Sequence, residues 1–185
     1  LLSGELSPKT KAKICPELRQ QIWNLCAKNN SSQVFRCSSR NLNSLAFLKG
    51  LNFILIDCSN NNITSLDPLN NMLLKQLDCA DNNIASLEPR KNFKLETLEC
   101  HNNKELTDIT PLANMPLKTL TLSGCVSLKD LSPLKNCQKL ERLTIPKHLV
   151  ASPILKKLPN LKYLNSEWDD WKMTKEEFFQ NFEKK

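Results

Sequence analysis

The sequence predicts an α/β solenoid, an arc of about seven stacked units with parallel strands on its concave face, short 3-10 or turn segments on its convex face and a helical cap at each end. Three observations lead there. Residues Phe53, Ile56, Cys58, Asn61, Ile63 and Leu66 stand 21 positions before Leu74, Leu77, Cys79, Asn82, Ile84 and Leu87 and agree with them in chemical type throughout. Within each unit, as in Leu77-Asp78-Cys79, apolar and polar residues alternate with the period of a short strand that buries one face. The chain also holds 21 asparagines against 3 glycines, a balance suited to many left-handed turns in which the side-chain amide bonds nearby backbone.

Residues 1–13 carry serine, proline and three lysines without periodicity and read as a linker or tail. A helical N-terminal cap is expected over 14–31: Pro16 suits a first turn, Leu18, Ile22, Leu25 and Cys26 line one face with Trp23 at its edge, and Asn29-Asn30-Ser31-Ser32 ends the helix. Repeats fill 32–166, starting at Ser32, Phe53, Leu74, Leu95, Leu117, Leu140 and Leu161, in steps of 21, 21, 21, 22, 23 and 21. Pro68, Pro89, Pro111, Pro133 and Pro153 open the convex turns by fixing their own backbone angle. An aromatic cap and helix are expected over 167–185, with Trp168 and Trp171 followed by the capping box Thr174-Lys175-Glu176-Glu177 and by Phe178, Phe179 and Phe182.

These residues resemble the leucine-rich repeat signature, LxxLxLxxNxLxxL, of the short class found in internalins and in a regulatory subunit of protein phosphatase 1. Cysteine replaces the third leucine at Cys37, Cys58, Cys79 and Cys100. The ladder asparagines are Asn61, Asn82 and Asn103, whose stacked amides are expected to satisfy backbone groups left open where the chain turns. Arg40, Cys125 and His148 depart from that position. The stretch from Leu117 through the aromatic and acidic ending also resembles the C-terminal leucine-rich region of certain bacterial serine/threonine kinases. An upstream domain of that kind would account for the missing initiating Met.

Composition excludes several functions. No run of 18 apolar residues encodes a membrane span. The charge of +7 and pI near 9.0 are spread over scattered lysines, without the basic block that a nucleic-acid arm requires, so no nucleic-acid partner is expected. The eight cysteines form no CxxC pair, and neither His101 nor His148 stands at zinc spacing, so no metal or cofactor is expected. The column of cysteines reads as core filler, which places the chain in a reducing cytoplasm, with secretion or a cell-surface position as the alternative. No catalysis is expected: there is no glycine-rich phosphate loop, and Cys100 and His101 are adjacent in a strand and point to opposite faces.

The remaining candidate chemistry lies on the concave face. Its middle row reads Arg36, Asp57, Asp78, Glu99, Thr121, Thr144 and Asn165, which places three carboxylates on successive layers about 5 Å apart. A row near the strand ends reads Ser39, Asn60, Asp81, Asn102, Gly124, Lys147 and Trp168. Asp57, Asn60, Asp78, Asp81, Glu99, His101 and Asn102 therefore make an acidic early surface, and Arg142, Tyr163 and Trp168 a basic to aromatic late one. The expected function is noncatalytic binding of a protein or peptide, with a basic segment suited to the acidic part. The module is expected to be monomeric in isolation and to belong to a larger bacterial polypeptide. The alternatives are a regulatory or scaffolding segment of an upstream kinase and a secreted, internalin-like adhesion protein.

Overall fold

In a computed structural model, residues 33–87, 93–166 and 173–183 are described. The linker expected over 1–13, the cap over 14–31 and both Trp168 and Trp171 lie outside the described residues. Seven strands form one parallel sheet in chain order: β1 (Val34–Arg36), β2 (Leu55–Asp57), β3 (Gln76–Asp78), β4 (Thr97–Glu99), β5 (Thr119–Thr121), β6 (Arg142–Thr144) and β7 (Tyr163–Asn165). Each is three residues long because only its central residue must face inward. Ile56, Leu77, Leu98, Leu120, Leu143 and Leu164 are all buried at that position, while the residues on either side face the concave surface.

The convex side is built from single turns. Ala46–Leu48, Asp67–Leu69, Thr110–Leu112 and Ser132–Asn136 are 3-10 helices, and proline stands at the start of the last three. A side chain two residues upstream caps each: Ser44 and Ser65 hydroxyls accept from the Ala46 and Asp67 N–H, and Asp108 and Asp130 carboxylates accept from Thr110 and Ser132. The sixth layer departs from this plan. Pro146 leads directly into a 3-10 turn over Lys147–Leu149, and the α-helical turn α1 (Ile154–Lys157) follows Pro153. Lys147 thus occupies a turn, outside the corner row in which the repeat spacing placed it.

Asparagine excess has a backbone cause. Ser39, Asn60, Asp81, Asn102 and Gly124 close the strand exits of five successive layers with positive φ, and Gly50, Asn71 and Asn114 do the same on the return to the sheet. Asparagine, aspartate and glycine tolerate that left-handed geometry at least cost. Gly124 has a second reason: a Cβ there would collide with Asn102 Oδ1.

Beneath the corners, three buried asparagines staple layer to layer. Asn82 Nδ2 donates to the carbonyls of Cys79 and Ala80 in its own layer and of Cys58 in the preceding one, at 3.2, 3.0 and 3.0 Å, while its Oδ1 accepts from Ile63 N–H at 2.9 Å. Asn61 and Asn103 repeat the arrangement against Cys37 and Cys79. At the next rung Cys125 holds the asparagine position, and its thiol donates to the Cys100 carbonyl at 3.3 Å. The departure from the motif therefore keeps the inter-layer bond in a weaker form.

The cysteine column packs inside this frame as small apolar side chains. Cys58 and Cys100 also donate their thiols to the Asp78 and Thr121 carbonyls of the following layer, at 3.3 and 3.2 Å. The six cysteines among the described residues are free thiols, and burial pushes the Cys37 thiol up to about 12 and Cys125 to about 11. Such thiols stay protonated and are poor nucleophiles. At the other end, α2 (Lys175–Glu183) closes the last layer with Phe178 buried. Its capping box is complete: Thr174 N–H donates to Glu177 Oε2 at 2.8 Å, and Glu177 N–H donates back to Thr174 Oγ1 at 3.2 Å.

Candidate functional site on the concave face

Parallel register brings the middle row together as neighbouring side chains. Asp57 pairs with Asp78 and Asp78 with Glu99, with Arg36 beside Asp57 at one end and Thr121 beside Glu99 at the other. The strands impose this arrangement, because each carboxylate follows an inward-facing leucine or isoleucine and has no freedom to leave the row. Asp57 Oδ1 accepts from the Ser59 hydroxyl and N–H at 2.8 and 3.2 Å, and Asp78 Oδ1 accepts from Ala80 N–H at 3.1 Å. Among the described residues no ion pair reaches any of the three. Partial burial, reinforced by the charges of Glu99, Asp57 and Asp81, raises the Asp78 carboxyl to about 6 against the opposing pull of the Ala80 N–H. Glu99 is raised too, first by burial and then by Asp57.

Asp81 and its neighbours belong to a different assembly. Asp81 holds the left-handed corner, accepts from Asn102 Nδ2 at 2.8 Å and faces His101 Nε2 at 3.3 Å. His101 in turn lies 3.4 Å from Thr121 Oγ1 through Nδ1. A hydroxyl, an imidazole and a carboxylate in that order match a nucleophile, base and orienting acid by type. Thr121 and His101 are only 1% and 6% exposed, so the hydroxyl and ring are covered in this structure. Burial lowers the His101 pKa despite the adjacent Asp81, which favours a neutral ring bridging two layers. Asn60, like Asn102, sits at a corner with positive φ.

The late layers carry the basic and aromatic end. Arg142 and Tyr163 are register partners on β6 and β7, and the guanidinium lies over the ring at 5.5 Å from its centroid. Trp168 lies outside the described residues.

No family model matches the chain, and no curated protein matches its sequence. Among solved structures it is similar to an internalin from Listeria monocytogenes, with a TM-score of 0.68 over 89% of this chain and 23% identity. The fold is a leucine-rich repeat arc. This chain spans 54% of that internalin, about half its length.

Within the leucine-rich repeat arc, one feature escaped the reading of the sequence. The second residue of successive repeats runs Lys75, Glu96, Lys118, Glu141 and Lys162, alternating in sign along the edge where strands begin. Lys118 Nζ meets Glu96 at 2.7 Å and Lys162 Nζ meets Glu141 at 2.9 Å. The Lys118 and Lys162 partners hold Glu96 and Glu141 below the usual carboxylate range. The signal was present as a 21- to 23-residue spacing of opposite charges; it lies one position before the strands, outside the rows taken as the binding face.

Proposed function

We propose that this leucine-rich repeat arc is a noncatalytic recognition module that binds a protein or peptide through its concave face and takes a basic side chain at Asp57, Asp78 and Glu99. The supporting observation is the in-register carboxylate column, partly buried and without an ion pair among the described residues, on a sheet whose entry edge pairs its charges with alternating partners. Like charges on adjacent strands destabilise an empty surface. A lysine or arginine from outside relieves that repulsion and favours the charged form of Asp78 against the burial that raises it.

The internalin likeness agrees with a recognition role and rests on fold alone. Free buried thiols favour a reducing compartment such as the cytoplasm. Among the described residues no helix is long and apolar enough to cross a membrane.

The test is selection from a random peptide library displayed on phage, run against the immobilised chain and against a variant carrying Asp57→Asn, Asp78→Asn and Glu99→Gln. Enrichment of lysine and arginine on the native chain, absent on the variant, is the expected result. Equal enrichment on both places the binding surface elsewhere.

A further inference from the structure

A second charged anchor stands at the far end of the same face, and its role rests on the reading that a basic side chain occupies the carboxylate column. Arg142 and Thr144 flank the buried Leu143, so both project from the concave side of β6. Arg142 is exposed, and its guanidinium lies over the Tyr163 ring at 5.5 Å from the centroid, a contact that leaves its charge intact. The nearest acidic residue in sequence, Glu141, is engaged elsewhere, with Lys162 Nζ at 2.9 Å. Among the described residues no carboxylate pairs with Arg142. A guanidinium resting on an aromatic ring still carries its N–H fork, which suits one planar, anionic group.

We infer that the partner segment carries both signs: a lysine or arginine seated on Asp57, Asp78 and Glu99, and an aspartate or glutamate side chain seated on Arg142. The carboxylate row continues through neutral Thr121 and Thr144, while Arg142 stands two positions earlier on β6, beside Thr119. Asp78 and Arg142 stand three layers and two strand positions apart, roughly 16 Å, which an extended peptide covers in about five residues. Opposite anchors on β2–β4 and on β6 also set the direction in which the segment lies across them, because reversing it brings like charges together at both anchors.

The experiment repeats the phage selection with Arg142→Gln as a separate target, and thermal unfolding of that variant verifies its fold. On the native chain, selected sequences should hold a basic and an acidic residue about five positions apart. On Arg142→Gln the basic preference should persist and the acidic one disappear. For a selected peptide made synthetically, fluorescence anisotropy should show about five- to tenfold weaker binding to Arg142→Gln. Amidating the peptide's acidic residue should weaken binding to the native chain equally, with no further loss when both changes are combined. A basic preference without an acidic one, or an acidic preference that survives Arg142→Gln, overturns the second anchor and leaves the first intact. Absence of any charge preference on the native chain overturns both.

Discussion

Two charged rows cross the same strands within a few residues of one another, and they are built on opposite principles. On the entry edge, Lys75, Glu96, Lys118, Glu141 and Lys162 alternate, so each carboxylate has a cation on the next layer. In the middle of the concave face, Asp57, Asp78 and Glu99 repeat one sign across three layers and are partly withdrawn from water. The fold has no difficulty placing complementary charges at this period, since it does so one row away. The like-charged column is therefore not a by-product of the repeat. Among the described residues no ion pair relieves its repulsion, which is the ground for the proposed seat of a basic side chain.

Both rows depend on the layer spacing being held rigidly by what lies beneath, and the largest expected effect is there. Asn82→Leu removes one amide that serves carbonyls in two layers and the Ile63 N–H, so it should lower stability by about 1–3 kcal/mol, whereas Asn83→Leu at an exposed site should change it little. Chemical denaturation of the two variants measures the difference. Equal midpoints would show that the Asn82 amide does not tie the layers together.

The next effect is of opposite sign. Asp78→Asn should stabilise the chain near neutral pH, because it deletes a carboxylate that folding makes harder to ionise. The shift to about 6 corresponds to at most about 3 kcal/mol, and water at the half-buried group reduces this to about 1 kcal/mol. Loss of stability on that substitution would show that the column is structural.

The two rows should also respond oppositely to pH. Between the ordinary aspartate value and about 6, folded Asp78 keeps a proton that the unfolded chain has released, so its contribution is fully present at lower pH and is lost as pH rises through 6. Glu96 and Glu141 are held low by lysine, so their contribution is present above the ordinary glutamate value and is lost as pH falls through their depressed folded values. Urea unfolding from pH 4 to 7 should therefore show a larger rise in relative stability on acidification in the native chain than in Asp78→Asn, where only the raised Glu99 remains. A flat difference between the two proteins across that window would remove the proton linkage.

The smallest expected effect belongs to the entry edge itself. Glu96→Gln and Glu141→Gln should lower the thermal midpoint slightly, less than Asp78→Asn raises it, and the loss should vanish at high salt because these pairs are exposed to solvent. A salt-independent loss would contradict the assignment of that edge to screened surface pairs.

Particular residues show where sequence reasoning reached. Asn61, Asn82 and Asn103 recur at one repeat position, and a polar residue that returns inside an apolar stack can only be serving backbone, so their job was legible before any coordinates. Asp81 was different. By spacing it looked as available as Asp78, and the structure ties it to Asn102 and His101 at a left-handed corner. Those partners sit 21 and 20 residues away, and the corner's backbone angle rather than the repeat pattern turns its carboxylate toward them. The ladder from Lys75 to Lys162 is written in the same period, one position before each strand, where the alternation that marks a strand does not reach.

What the sequence determined by itself is the layer: a repeat near 21 residues, leucine and cysteine inward, asparagine at the turn, proline outside, all set by local alternation and backbone preference. What only the tertiary structure decided is which equivalent residues meet a neighbour. Asp78 faces Asp57 and Glu99, Asp81 faces His101, Glu96 faces Lys118 and Arg142 lies on Tyr163, because lateral register and corner geometry fix distances between side chains that a period can only place in the same column.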